Sequence, residues 1–174
     1  MMGYSAGILL YIQNGNTLHV LLGKDVKYNL WSDFGGSCEE HDRNDSIKTA
    51  SREFFEETMG IISDECDLRF NLKQRSICLE CESFKKNRYY MYLLDANHVV
   101  QSRSVIDDFY YQQFLLGKNR SKPFNKFKEK YQIGWFSLEY ILENPPMFRE
   151  VFYTSIVNNL EKIRTSVKMD SVDA

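Results

Sequence analysis

Four side chains on one short stretch carry the chemistry of this sequence. Arg52, Glu53, Glu56 and Glu57 stand in "REFFEE", downstream of the glycine pair Gly35–Gly36. On a helix, Glu53, Glu56 and Glu57 fall at i, i+3 and i+4 and share one face. Like charges at that spacing repel by about 0.2–0.5 kcal/mol per pair, and only Arg52 lies beside them. A divalent cation turns that repulsion into coordination, and hard Mg²⁺ or Mn²⁺ takes carboxylate and carbonyl oxygen. A glycine turn lets backbone approach a metal or a phosphate. An arginine beside the cluster can lock a carboxylate through paired hydrogen bonds. The substrate implied is a polyphosphate, whose oxygens complete a magnesium shell. The metal would neutralise phosphate charge and lower the pKa of an attacking water. The plainer alternative is a solvated glutamate-rich helix face, and the upstream glycines weigh against it.

These residues need a helix and a turn to position them. Ile47, Ala50 and Phe54 give the apolar stripe of a helix over about 47–58, capped by Asp45 or Ser46 and stopped near Gly60. Residues 37–45 are polar and read as loop. Upstream, "SAGILLYIQ", "NGN" and "TLHVLLGKD" predict a hairpin, and "LWSDFGG" a third extended piece. Downstream, "LRFNLKQRSICLECES" and "NRYYMYLLDAN" read as two strands around "FKKN". "IDDFYYQQFLLGKN" reads as a helix, residues 117–129 as a basic polar connection, and "YQIGWFSL" as a strand. "LEYILENP" is a short helix stopped by Pro145, and "REVFYTSIVNNLEKIRTSV" is an amphipathic helix. Strands and helices mixed this way predict α/β or α+β layering in a single domain over 1–174, with 166–174 a loose tail.

The chain of 174 residues holds 22 basic and 24 acidic side chains, a net charge of -2. That balance sets up no strong global field, so nothing in it demands nucleic acid or a membrane. No secretory leader is evident, and the apolar run Ala6–Ile12 is far too short to span a bilayer. The expected location is cytoplasmic, with Cys38, Cys66, Cys78 and Cys81 as free thiols. Cys78 and Cys81 have C-x-x-C spacing, but on a strand residues three apart point to opposite faces.

Gly36, the loop after it, "REFFEE" and Gly60 resemble the Nudix box, G-x5-E-x7-R-E-U-x-E-E-x-G-U with U apolar. "LWSDFGG" resembles the family's strand into a Trp and a "PGG"-like turn, and "IGWFSLEYI" its "WF-L-E" segment. The departures are Phe34 for proline, Ser37 for lysine, and fifteen residues between Gly36 and Arg52 where the box has thirteen. One residue is added before Gly60. The first glutamate of the box has no clear partner: counting back from Arg52 lands on Asn44, and counting forward from Gly36 lands on Asp42, with Glu39 and Glu40 nearby.

The resemblance implies an α/β/α sandwich around a mixed sheet. It implies a Mg²⁺- or Mn²⁺-dependent hydrolase, a pyrophosphatase, acting on a nucleoside diphosphate linked to another moiety. Carried over by position, Glu53, Glu56 and Glu57 are metal ligands joined by the carbonyl of Gly36, and Arg52 orients a glutamate. The general base varies in the family: Glu56, Glu57 or a later glutamate such as Glu129, with Gln132 close to the "WF" strand. Specificity lies outside the box. Tyr28 and Trp31 can stack on a base or belong to the core. Lys118, Arg120, Lys122, Lys126, Lys128 and Lys130 make a basic stretch able to hold extra phosphates or capped RNA. A cap-removing enzyme and a non-catalytic nucleotide- or partner-binding module are the other readings.

Overall fold

A computed structural model describes residues 3–82, 87–101, 104–118 and 129–170. The long apolar opening forms strand β1 (Tyr4–Asn14), and Gly15 turns it into β2 (Thr17–Asp25). β3 (Trp31–Ser32) and β4 (Phe34–Ser37) follow, then helices α1 (Ser46–Glu57) and α2 (Glu65–Arg75). Strands β5 (Ile77–Glu82) and β6 (Arg88–Asp95) precede α3 (Val105–Lys118). The chain continues through β7 (Lys130–Ser137), α4 (Leu138–Glu143), α5 (Glu150–Asn158) and α6 (Leu160–Asp170).

All the strands join one mixed sheet. β1 runs parallel to β6 on one side. On its other side it pairs antiparallel with β4 through its first half and with β2 through its second. β7 and β3 continue from β2, and β5 closes the far edge on β6. Because strand side chains alternate, β1 feeds two cores. Ala6, Ile8 and Leu10 pack under α1, α2 and α3, with Ala50, Phe54, Leu68 and Phe109. Leu9 and Tyr11 face α4, α5 and α6, with Ile141, Phe152, Ile156 and Ile163. That double burial is why β1 reads as a continuous apolar run rather than an alternating one. The result is the expected α/β/α sandwich, and its Phe34–Phe54 edge-on pair at 5.2 Å ties the glycine turn to α1. Phe34, standing where the box has proline, is fully buried in this contact.

Three expectations change. The stretch "LRFNLKQR" is helix α2, not the start of a strand; β5 begins at Ile77. Asp64 caps the helix by accepting from the amides of Cys66 and Asp67, and Leu68 and Leu72, one turn apart, bury. The amphipathic segment after Arg149 is two helices, α5 and α6, parted at Asn159. The Asn159 side-chain amide donates back to the Ser155 carbonyl. Finally, α6 runs to Asp170, past the start of the expected tail, with Val167 buried one turn beyond Ile163. "FKKN" lies almost wholly outside the described residues, as do Arg120, Lys122, Lys126, Lys128 and the side chain of Lys118. Among the described residues no helix is long and apolar enough to cross a membrane.

Candidate active site

Helix α1 begins where the sequence places it. Asp45 accepts from the amides of Ile47 and Lys48, satisfying donors that the first turn leaves open. The helix ends in a tight reversal, with Met59 and Gly60 both at positive φ (56° and 67°) and the Gly60 amide bonded to the Phe55 carbonyl. That reversal absorbs the residue added before the glycine.

Arg52 is 5% exposed and each of its five N–H groups has an acceptor. Nε and Nη2 fork onto the two oxygens of Asp42, at 3.2 and 3.0 Å. Nη2 also donates to the Ser37 carbonyl at 3.0 Å. Nη1 donates to Glu53 at 2.8 Å and to Glu56 at 3.4 Å. Asp42 is therefore the acidic partner of Arg52, and it is the residue reached by counting forward from Gly36. The two extra loop residues fall after it, at Arg43 and Asn44, both left-handed (φ 55° and 59°). Asp42 also accepts from the Thr49 hydroxyl and the Glu39 amide. Burial works against its ionisation, but the hydrogen bonds from Arg52, Glu39 and Thr49 outweigh it and hold the carboxyl below its ordinary value.

Gly36 lies directly against the Glu53 carboxyl. A Cβ there would stand 2.5–2.6 Å from the Glu53 carboxyl, so the strand backbone and that carboxylate share one cradle. Glu56 is one turn on, with its side chain more exposed than that of Glu53. Glu57 points inward, 3% exposed, accepting from the Gly35 amide at 2.8 Å and facing Lys130 Nζ at 3.4 Å. Among the described residues no three His, Cys, Asp or Glu side chains stand at metal-holding distances from one another. The chemistry of the donors nevertheless fits a hard cation. The Glu53 carboxylate and the Gly36 backbone stand together in the wall of a cleft of about 540 Å³, and carboxylate and carbonyl oxygen are the donors that such a cation takes.

Burial also shifts the glutamates. It pushes Glu57 up to about 8 against the pull of Lys130, and Glu53 up to about 7 against the pull of Arg52. A carboxyl raised above its unfolded value of 4.5 binds protons that the unfolded chain releases. Its contribution to stability is full below about 4.5 and is lost as pH rises through 7 and 8. The chain in EDTA is therefore expected to melt at lower temperature at pH 8 than at pH 5, and added Mg²⁺ is expected to narrow the gap. Calorimetry across that range checks it; a melting temperature that climbs with pH would count against the burial of these two carboxyls.

The cleft is bordered by Asp25, Tyr28, Gly36, Glu53, Glu129 and Arg149. Tyr28 is 49% exposed with the Arg149 guanidinium 4.8 Å from its ring. Trp31 does not line the cleft. It packs edge-on to Phe136 at 4.7 Å in the second core, and its carbonyl accepts from the Arg149 amide. A second cavity, of about 250 Å³, shares Gly35, Gly36, Ser37 and Arg149 with the first. Its wall holds Asp33, buried and accepting from the Tyr89 hydroxyl. Burial raises the Asp33 carboxyl, and burial together with Asp33 raises the Tyr89 hydroxyl. Asp33, Arg149 and Lys130 gave no motif to notice; Lys130 closes a basic run in which Arg120, Lys122, Lys126 and Lys128 lie outside the described residues.

No family model matches the sequence, and no curated protein matches it either. Solved structures do match the fold. The C-terminal domain of mouse MUTYH, solved in complex with human PCNA, superposes with a TM-score of 0.55 at 13% identity, covering 95% of this chain and 91% of that one. The NUDIX domain of Shewanella oneidensis NrtR, solved with ADP ribose, gives 0.52 at 12% identity over 91% of this chain and 86% of that one. The chain has the Nudix fold: a mixed sheet between helical layers, with α1 and the glycine turn at its centre.

Proposed function

We propose that this chain is a Nudix hydrolase that cleaves a phosphoric anhydride bond in a nucleoside diphosphate linked to another moiety. The observation that carries the reading is the saturation of Arg52, which gathers Glu53 and Glu56 on one guanidinium with the Glu53 carboxyl against Gly36. Glu53, Glu56 and the Gly36 carbonyl hold Mg²⁺ or Mn²⁺, with Glu57 behind them. The bound cation neutralises phosphate charge and lowers the pKa of an attacking water. Arg52 orients the carboxylates and itself touches no substrate. Glu56, with the most exposed side chain of the three, accepts the water's proton. Arg149 and Tyr28 face the cleft and steady the phosphates and an aromatic base.

A second reading, a module that binds a nucleotide without cleaving it, is favoured by one observation. Lys130 already places a positive charge against Glu57. A phosphate-release panel separates the two. It takes nucleoside triphosphates, nucleotide sugars, ADP-ribose, dinucleoside polyphosphates and capped RNA, each with Mg²⁺ or Mn²⁺ and with EDTA. Release that requires metal is the expected result and names the substrate. Calorimetric binding of a panel member without release would establish the module instead. Release from capped RNA alone, with affinity falling steeply as salt rises, would identify a cap-removing enzyme.

A further inference from the structure

We propose that Lys130 is a built-in cation that takes the place of a second divalent ion, so that the site holds one metal and not two. This rests on the reading above that the carboxylates bind a divalent cation. Lys130 comes from β7, far in sequence from the glycine turn, and is 1% exposed. Its Nζ donates to the Ser32 hydroxyl at 2.9 Å and stands 3.4 Å from Glu57 and 4.0 Å from Asp25. The residue is anchored at both ends. Its carbonyl accepts from the Gln113 side chain, and its stem lies over Gly23, where a Cβ would meet the Lys130 Cγ and Cδ at 2.9 Å. A long cationic side chain is rarely buried this fully unless charge complementarity holds it there.

The carboxylates are divided between two clients. Arg52 bonds one oxygen each of Glu53 and Glu56, and the Glu53 carboxyl lies against Gly36. Glu57 has the Gly35 amide on one oxygen and Lys130 on the other. In two-metal sites the ions lie about 3.5–4 Å apart and share carboxylates. Here the partner of such a pair would have to use Glu57, and Lys130 Nζ already stands against it. Two cations at that spacing in a buried site repel strongly. The ammonium thus supplies, by covalent tether, the positive charge that a second ion would bring.

The test is Mn²⁺ titration of the full chain followed by electron paramagnetic resonance, at one fixed pH, on wild type, Lys130→Met and Lys130→Arg. Methionine keeps an unbranched stem over Gly23 and removes the charge; arginine keeps the charge. The expected stoichiometry is one tightly held ion for wild type and for Lys130→Arg. Lys130→Met is expected to take up two, with the spin–spin broadening of neighbouring ions. Two tightly held ions in wild type overturn the proposal without any variant, so it stays testable even if Lys130→Met does not fold. A folded Lys130→Met that still binds one ion overturns it as well. No Mn²⁺ bound by any of the three defeats the metal-binding reading itself, an outcome distinct from either of the others.

Discussion

Replacing Glu56 by Gln is expected to leave the fold intact and to cut hydrolysis of the true substrate by about a hundredfold to a thousandfold. Metal-assisted charge stabilisation is worth several kcal/mol, and each ~1.4 kcal/mol is tenfold in rate. The amide is isosteric and still accepts a hydrogen bond from Arg52, so the cage around α1 keeps its shape. What it lacks is the charge that binds a cation and the basicity that accepts a proton. Glu56 is only partly buried, and its loss opens no cavity in either core. Glu57→Gln is a different experiment. Glu57 is buried with Lys130 and its carboxyl is pushed up to about 8, so above that pH the amide leaves the cation facing Asp25 alone among the described carboxylates within 4.0 Å. It should therefore lower stability as well as rate. Steady-state rates on the panel substrate, beside melting curves for both variants, separate these effects. Near-normal rates in folded Glu56→Gln would mean that the chemistry is elsewhere.

Much of this site was legible in the sequence because its physics is local. The Asp45 cap, the Ile47–Ala50–Phe54 stripe and the acidic i, i+3, i+4 face all lie within about three turns of one helix, where spacing alone decides which side chains meet. The layering was legible for the same reason, since β1 declares double burial by its unbroken apolar run. Asp42 was half legible: its distance from Gly36 fits the box, yet a left-handed pair at Arg43–Asn44 breaks the count from the other side. Helix α2 was missed because its apolar spacing is sparse and only Leu68 and Leu72 among its apolar side chains bury, while its cap at Asp64 went unread. Lys130 and Arg149 were illegible in kind. Each reaches the site from a distant element, and a lone basic residue in a charged stretch looks like any solvated one until the sheet brings it against Glu57 or Tyr28.

Arg52 is the residue whose loss should cost the fold most. Breaking a buried ion pair by removing one partner costs about 3–5 kcal/mol, because the other charge is left uncompensated. Arg52→Met would do that to Asp42, which is 2% exposed, and would orphan the Ser37 carbonyl and free two glutamates to repel. For a chain of this size each kcal/mol moves the melting temperature by about 2–4 °C, so a fall on the order of 10 °C is expected. Lysine should not rescue it: an ammonium cannot fork onto both Asp42 oxygens while also reaching Ser37, Glu53 and Glu56. Asp42→Asn should be milder, since an amide oxygen in the Oδ2 position still accepts from Arg52 Nη2 and from the Thr49 hydroxyl. The informative variant is the pair Arg52→Met with Asp42→Leu. Replacing both charges removes the uncompensated one, so urea midpoints should show the double variant less destabilised than the sum of the singles. Activity should not return with stability, because Glu53 and Glu56 would then have lost the guanidinium that gathers them. If urea midpoints simply add, Arg52 and Asp42 act independently, and the loop from Gly36 to α1 is held by something other than their fork.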